Sequence, residues 1–352
     1  YGPEIVVSGD LTTGGVSGFS LTSNDNRIEG LVISSFTTGS GVVITGSTNK
    51  ISNCYIGCSS SGTVAWQNTN GIYINGGSGN NAIGEIGKGN LISGNSQNGI
   101  LINNSSNNAV KCNYIGVSTT GVSVGNLVHG ILIQGGAQNN TIGGTESEKN
   151  FIAYNGGDGV SITDVSSDYN KITRNSIHRN TGLGIDLGNN GVGVGVGENS
   201  DLLCPWISSA TKISSTQIVV YGTAPVSSLV EVFIDTGDAS GYGEGEFYMG
   251  YGNSDATGNG NFSITITTSV EGIRFTAVTI KDNNTSEFSR YYCHASPAAV
   301  TCLSALTGVG NGEIALTWTS PGEDGWDGQI VNGKYNIRYS TYTTDVSGFW
   351  DT

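Results

Sequence analysis

Residues 49–58 read NKISNCYIGC and residues 108–117 read NAVKCNYIGV, a match at an offset of 59 positions. The match extends outward, since residues 71–74, GIYI, recur as 130–133, GILI, and residues 81–84, NAIG, recur as 140–143, NTIG. Each 59-residue unit contains two similar halves, so the elementary repeat is about half as long. The chain is therefore organised as a repeat protein over its first two hundred residues.

Each repeat contains three short runs of alternating apolar residues, separated by Gly, Asn and Ser. Six repeats begin near Asn26, Asn49, Asn81, Asn108, Asn140 and Asn170. Strands this short cannot bury a face in isolated hairpins, but stacked repeats enclose a continuous aliphatic interior. The pattern predicts a parallel β-helix.

The Asn-x-Ile triplets indicate which side chains point inward. Isoleucine must face the interior, and each asparagine can stack on the asparagine of the next repeat. We expect one such ladder, in which Cys54 replaces the first member, to contain Asn90, Asn113, Asn150 and Asn175. His129 stands where other repeats have Asn70, Asn98 and Asp158, which favours a turn position over a catalytic role.

The repeat resembles the right-handed parallel β-helix repeats, related in fold to pectin lyases, of large bacterial surface and secreted proteins. The resemblance covers roughly residues 1–200 and implies an extracellular or cell-surface location, and we place the β-helix domain at residues 1–206. The predicted fold class is all-β, with a right-handed parallel β-helix followed by antiparallel β-sandwich modules. Because this fold supports lyases, hydrolases, adhesins and inert stalks, the resemblance alone does not determine an activity.

Composition excludes several classes of protein. Charged residues make up 12% of the 352 residues, against roughly 25% in an ordinary domain, and 56 are glycine. The net charge of −14 argues against binding to nucleic acid, and no apolar run approaches the ~18 residues needed for membrane insertion. The chain starts at Tyr1 and contains only one methionine, Met249, so we expect a processed product or a fragment.

The sequence changes character after residue 206. Longer alternating runs over 207–296 resemble an Ig-like β-sandwich, and 297–352 resembles the first half of a fibronectin type III domain. Half a sandwich cannot close its core, so either the natural chain continues or other copies of the chain supply strands to the open edge. Cys293 and Cys302, nine residues apart, are either a disulfide or two buried thiols. Cys54 and Cys58 lie too far apart on an extended strand to pair with each other.

Catalytic candidates are few. A polysaccharide lyase or hydrolase needs acids or bases grouped along one outward face. We call the outward side chains at one equivalent position of successive repeats an outward column. No outward column places two carboxylates on adjacent repeats. The best candidates lie in the last repeats, namely Asp164, His178, Arg179 and Asp186. A solvated or capping group is the alternative for His178.

Two outward columns are apolar, and such stripes mark either a surface covered by loops or partners, or a platform for sugar rings. The members proposed to bind carbohydrate or another partner are Tyr55, Tyr73, Leu101, Tyr114, Leu132 and Phe151. The inserted loops 58–70 and 117–127 are well placed to cover this surface.

The sequence suggests no cofactor other than a Ca²⁺ ion. Acidic residues in a glycine-rich part of the sandwich could supply oxygen ligands, although EF-hand spacing is absent. These candidates are Asp235, Asp238, Glu244 and Glu246, and solvated loops are the alternative.

Three functions are compatible with the sequence. The first is an extracellular structural or adhesive surface protein or filament subunit, in which the β-helix is a rigid spacer and the sandwiches provide linkage. The second is a polysaccharide lyase or glycoside hydrolase, and the third is a non-catalytic carbohydrate-binding module. The scarcity of ionisable groups on the stacked faces favours the first and leaves open whether the protein is an enzyme.

Overall fold

The computed structural model describes residues 2–77, 79–193, 198–235, 240, 242–268 and 273–294, with the backbone alone for 294, 301–307 and 314–319. The chain divides into two compact units, Tyr1–His294 and Ala295–Thr352. The first unit contains a parallel β-helix followed by antiparallel sheets, as the sequence predicted.

The β-helix consists of three parallel sheets, in which every third strand along the chain pairs with the next. The first sheet contains β1 (Ile5–Ser8), β4 (Leu31–Ser34), β7 (Tyr55–Ile56), β10 (Leu91–Ile92), β13 (Tyr114–Ile115), β16 (Phe151–Ala153) and β19 (Ser176–His178). The second contains β2 (Phe19–Leu21), β5 (Val42–Ile44), β8 (Ile72–Asn75), β11 (Ile100–Asn103), β14 (Ile131–Gln134), β17 (Val160–Ile162) and β20 (Ile185–Leu187). The third contains β3 (Arg27–Glu29), β6 (Lys50–Ser52), β9 (Ala82–Ile83), β12 (Ala109–Val110), β15 (Thr141–Gly143) and β18 (Lys171–Thr173). A rung is one strand from each sheet, and β19 and β20 form the incomplete last rung.

The interior is a stack of aliphatic side chains. In the third sheet, for example, Ile51, Ile83, Val110 and Ile142 stack in register and are fully buried. Burial of such a continuous column is the main force that holds the rungs together, because strands of two to four residues contribute little individually.

Buried asparagine ladders run along the corners. Cys54, Asn90, Asn113 and Asn150 each donate the backbone N–H to the side-chain oxygen of the next member, at 3.0 Å, and the ladder ends at Asn175. This is the ladder that the sequence predicted. Parallel ladders contain Asn26, Asn49, Asn81, Asn108, Asn140, Asn170 and Asn199, and Asn68, Asn95, Asn126, Asn155 and Asn180.

Glycine precedes the inward isoleucine of the second sheet for a packing reason. A Cβ on Gly130 would lie 2.6 Å from the carbonyl oxygen of Gly159 and 2.7 Å from a methyl carbon of Ile152. The close approach of the next rung, rather than a left-handed backbone, therefore requires glycine at this position.

The antiparallel part follows as two packed sheets. One contains β21 (Trp206–Ser214), β22 (Gln217–Thr223) and β25 (Asn261–Thr267). The other contains β23 (Leu229–Asp235), β24 (Phe247–Asn253), β26 (Ile273–Lys281), β27 (Asn284–Thr285) and β28 (Tyr292–His294). Val220 and Ile264 of the first sheet share a buried core with Val232 and Phe275 of the second. We refer to these two sheets as the sandwich.

Strands β23 and β26 of the second sheet are buried on both faces, because the outer face of this sheet covers the end of the β-helix. Phe233, Val278 and Phe288 belong to the same apolar cluster as Ile177 and Leu187 of the last rung. The sandwich therefore closes the β-helix, and the candidate site lies at this junction.

In the second unit, the described backbone consists of strands β29 (Thr301–Thr307) and β30 (Ile314–Thr319), which pair antiparallel. The short 3-10 turns Glu146–Glu148 and Glu198–Asp201 belong to the first unit.

Candidate functional site

A cleft of 660 Å³ lies where the last strands of the β-helix meet the sandwich, and we call it the junction cleft. Its lining residues are Asp158, His178, Arg179, Asn180, Thr181, Gly182, Leu183, Asp186, Gly191, Val192, Asp235, Ser240 and Glu244. Among the four catalytic candidates from the sequence, the structure brings His178, Arg179 and Asp186 together in this cleft. The fourth, Asp164, is not part of its lining.

Asp186 occupies the outward position of β20, in register with Ser161 of the rung below. Its carboxylate accepts the N–H of Asn190 at 3.2 Å and that of Gly191 at 3.1 Å. Burial raises the pKa of Asp186, and the nearby Asp158 carboxylate adds to this effect. The side chain thus holds the turn that follows the last strand.

His178 ends β19 and is half-buried, with its ring edge-on to Tyr154 at 6.1 Å between centroids. Its Nδ1 atom is buried and has no hydrogen-bond partner among the described residues. Burial lowers the pKa of His178, although Glu246 opposes the shift, so the neutral ring is favoured at pH 7. The adjacent Arg179 donates to the hydroxyl of Tyr154 at 2.7 Å.

Asp158, which lines the junction cleft, is in contact with the ring of His129. The N–H of Asp158 donates to Nδ1 of His129 at 3.1 Å, and Oδ1 of Asp158 accepts the N–H of Leu183 at 2.9 Å. The other oxygen, Oδ2, also lies 3.1 Å from this Nδ1 but receives no hydrogen bond. His129 also donates its own N–H to Asn98, which confirms the turn position predicted for it.

Asp164 stabilises a turn elsewhere on the β-helix. Its carboxylate accepts hydrogen bonds from the backbone of Gly135 and Gly136 and from the hydroxyls of Ser166 and Ser167. Burial acts to raise the pKa of Asp164, but these hydrogen bonds outweigh it and lower the pKa.

Three glutamates of the sandwich bind the last rungs, a role that we did not predict from the sequence. Glu231 accepts the hydroxyl of Thr173 at 2.6 Å and the N–H of Arg174 at 3.0 Å. Glu244 accepts the backbone N–H of Asn180 at 3.1 Å.

Glu287 completes the set by accepting the N–H of Leu187 at 3.1 Å and that of Gly193 at 3.2 Å. Burial raises the pKa of Glu231, and it raises the pKa of Glu287 to about 7. Both carboxyls were therefore removed from water to make these contacts.

Three of the four proposed calcium ligands, Asp235, Glu244 and Glu246, lie among the described residues. Asp235 and Glu244 line the junction cleft, whereas Asp238 lies outside the described residues. Among the residues that the structure describes, no three His, Cys, Asp or Glu side chains are grouped as a metal ion requires. Glu244 instead ends an asparagine ladder.

The aromatic column on the first sheet is largely covered by loops. Tyr55, Leu91 and Tyr114 stack in register, and Leu91 is buried in one cluster with Cys58 and Val124 from the two inserted loops. This agrees with the loop-covered alternative.

The top of this column borders a smaller groove of 480 Å³. There, the Tyr114 and Phe151 rings stack at 4.9 Å between centroids, and the ammonium group of Lys149 lies 5.2 Å from the centre of the Phe151 ring. Because these ring faces already have partners, the groove is a poor platform for sugar rings.

The other predicted column lies on the outward face of the second sheet. Tyr73, Leu101 and Leu132 stack in register and are half-buried, as alternation on a strand requires. The side chain of Cys302 and the open edge of the fibronectin-like half lie outside the described residues. The predicted disulfide and strand exchange between copies therefore stay predictions.

Within the part of the chain that the structure describes, no helix is long and apolar enough to cross a membrane. No protein-family model matches the sequence, and no curated protein matches it.

Two solved structures match this chain at low similarity. Full-length tailspike protein 2 from Escherichia coli O157:H7 bacteriophage CAB120 is 10% identical, with a TM-score of 0.30, over 78% of this chain and 58% of that one. The enzymatically active domain of bacteriophage CBA120 tailspike protein 2 is 10% identical, with a TM-score of 0.28, over 76% of this chain and 64% of that one. The chain thus spans less than two thirds of either structure, and similarity this low does not inform its activity.

Proposed function

We propose that this protein is a non-catalytic structural or adhesive module of an extracellular or cell-surface protein, in which the β-helix is a rigid spacer closed by the sandwich. The observation that carries the proposal is that Glu231, Glu244 and Glu287 are committed to closing the β-helix. An uncapped solenoid end exposes unpaired strand edges and an open apolar core, so a docked cap stabilises the whole rod.

The catalytic candidates are engaged in the same way. Asp164 and Asp186 hold turns by accepting backbone N–H groups, and Arg179 is bound to Tyr154. A general acid or base must present its oxygen or nitrogen to the substrate, which these contacts oppose. The arrangement therefore supports a role in holding shape rather than in transferring protons.

A polysaccharide lyase or glycoside hydrolase is the second candidate, and one observation favours it. His178, Asp158 and Asp186 share a cleft at the edge of the sandwich, and Nδ1 of His178 has no partner among the described groups. Clefts of this kind between packed parts of a protein are common places for active sites.

The two candidates are separated by incubating the full chain with a panel of uronate and neutral polysaccharides. Unsaturated products are followed by absorbance and new reducing ends by a colorimetric assay. We expect no product from any substrate. Product formation that disappears in His178→Ala, but persists in the surface variant Asp10→Asn, would overturn the proposal in favour of an enzyme.

A further inference from the structure

One face of the sandwich is exposed to solvent. Burial alternates strictly along β25, where Phe262, Ile264 and Ile266 are buried and the residues between them are exposed. These exposed residues share one side of the sheet with the outward residues of β21 and β22, because the three strands pair in register. We call this outward side of β21, β22 and β25 the open face.

Two aromatic side chains lie on the open face. Trp206 is 60% exposed and Tyr221 is 38% exposed, whereas Phe262 and Phe275 of the same sandwich are buried in its core. Trp206 is in register with Thr223, which lies two residues from Tyr221 on the neighbouring strand. Such diagonal positions are roughly 7–8 Å apart, so both rings can contact the same ligand.

The rest of the open face is polar but uncharged. Apart from the two rings and Val219, its positions carry serine, threonine, asparagine or glutamine. Lys212, the charged residue of these three strands, is in register with the core residue Ile218 and therefore lies on the other side of the sheet. In a chain with a net charge of −14, this face is locally neutral, which favours a partner without charge.

The composition of the open face distinguishes between neutral partners. A protein interface is apolar at its centre and poor in serine. On the open face, in contrast, Tyr221 lies between Ser209 and Ser263, and Trp206 lies beside Thr223. A saccharide combines C–H surfaces, which pack on aromatic rings, with hydroxyl groups, which form hydrogen bonds with hydroxyl and amide side chains. Exposed rings surrounded by such side chains are complementary to a saccharide.

We infer that the open face binds a neutral polysaccharide, with Trp206 and Tyr221 packing against its sugar rings and the surrounding side chains forming hydrogen bonds with its hydroxyl groups. Neither ring belongs to the apolar columns of the β-helix. The inference rests on the proposed adhesive function, to which it adds a site and a ligand class.

Three variants test the open face. Trp206→Ala and Tyr221→Ala each remove one exposed ring, and the fold should be retained because neither side chain belongs to the buried core. Tyr221→Phe keeps the ring and removes only the hydroxyl group. Phe247→Ala is the matched control, since Phe247 is a 52% exposed aromatic residue of β24, in the other sheet. Urea denaturation establishes that each variant is folded before its binding is compared.

Binding is measured by affinity electrophoresis of the full chain in native gels that contain soluble β-glucan, mannan, xylan, galactan or polygalacturonate. We expect at least one neutral polysaccharide to retard the protein, and polygalacturonate to bind at least about tenfold more weakly. Each alanine variant of the open face should raise the dissociation constant about tenfold. Tyr221→Phe should bind within about threefold of the parent, and Phe247→Ala should bind as the parent does.

The inference is wrong if no neutral polysaccharide retards the protein, if polygalacturonate binds as tightly, or if both alanine variants keep the affinity of the parent. A second copy of the chain is the other occupant to test. Dimers in sedimentation velocity that dissociate in Trp206→Ala would identify a protein interface and would also overturn the inference. These outcomes are independent of product formation, which alone decides against the non-catalytic function.

Discussion

Asn180 donates its backbone N–H and its side-chain amide to the Glu244 carboxylate, at 3.1 and 2.8 Å, across 64 residues of sequence. Asn180 is the last member of a ladder in which each asparagine uses the next as its acceptor. A ladder of this polarity always leaves one pair of donors at its C-terminal end. The sandwich supplies the missing acceptor, and a carboxylate makes the contact charge-assisted.

Removal of this acceptor should destabilise the junction. In Glu244→Ala, two buried donors of Asn180 lose their partner, and we expect a loss of about 2–4 kcal/mol in the free energy of unfolding. Glu244→Gln keeps one oxygen acceptor, so its free energy of unfolding should fall by less. Urea denaturation measures both, with the exposed Glu4→Ala as the control. Equal stability of Glu244→Ala and the parent would show that the ladder does not need its cap.

The Glu287 carboxyl should contribute a loss of stability as the pH rises from about 4.5 to about 7. The pKa of Glu287 is about 7 in the folded protein against an ordinary value of 4.5, so the folded state holds the proton through this window while the unfolded state has lost it. The contribution is on the order of 1–3 kcal/mol.

Glu287→Gln should flatten this dependence, and unfolding free energies at pH 5 and pH 8 provide the comparison. Glu148 does not interfere, because its hydrogen bond with Lys111 lowers its pKa to about 2, and the resulting stabilisation is lost only as the pH falls from 4.5 towards 2. If the unfolding free energy changes with pH by the same amount in the variant and the parent, the role assigned to Glu287 is wrong.

A ladder asparagine should matter more than an outward one. Asn113 is fully buried, donates to Asn150 and to the carbonyl of Ile83, and accepts from Asn90. We expect Asn113→Ala to cost about 2–4 kcal/mol, because it leaves several buried groups unpaired. Asn103→Ala removes a half-buried outward amide and should cost under about 1 kcal/mol. Chemical denaturation of the two variants tests the difference, and similar losses would contradict it.

The buried thiols should resist alkylation in the folded protein. Cys54 and Cys58 are fully buried, and burial raises the pKa of Cys58 to about 12. Cys204 is exposed as a residue, although burial of its thiol raises its pKa, so it should label more slowly than a free cysteine but well before these two. Iodoacetamide labelling followed by peptide mass analysis measures the order, and early labelling of Cys58 would contradict it.

The sequence indicated the interior of the β-helix well because its constraints repeat. A period that places Asn90, Asn113, Asn150 and Asn175 at equivalent positions also determines which side chains stack, and the outward columns follow from alternation. The first rung, from Ile5 to Glu29, was less visible, because its strands lack the Gly-Ile-x-Ile segment and its asparagine comes late, at Asn26.

The contacts between the sandwich and the β-helix could not be predicted from the repeat pattern. Glu231, Glu244 and Glu287 act on partners between 57 and 100 residues away in the sequence, and no period relates them to those partners. Glu244 was instead grouped with neighbouring acids as a calcium ligand. A signal was present in β23, where Glu231 interrupts an apolar run as an isolated charge, since such a residue in a buried strand needs a specific partner.

The proximity of three of the catalytic candidates was predictable for a related reason. His178, Arg179 and Asp186 belong to the same rung, so stacking alone brings them near one another. Asp164 is only a few residues from β17, but it turns away to bind the backbone of Gly135 and Gly136. Which turn a side chain stabilises depends on local loop geometry, and the repeat pattern does not specify that geometry.

The central claim is that the sandwich closes the β-helix through its glutamates, and amide hydrogen exchange on the full chain tests it most directly. The N–H groups of Asn180 and Leu187, which end on Glu244 and Glu287, should exchange as slowly as those of Asn155 and Ile131 in the interior rungs. In the double variant Glu244→Gln, Glu287→Gln, exchange at Asn180 and Leu187 should accelerate while Ile131 stays protected. Exchange of Asn180 and Leu187 at the rate of a free chain end in the parent protein would contradict the account.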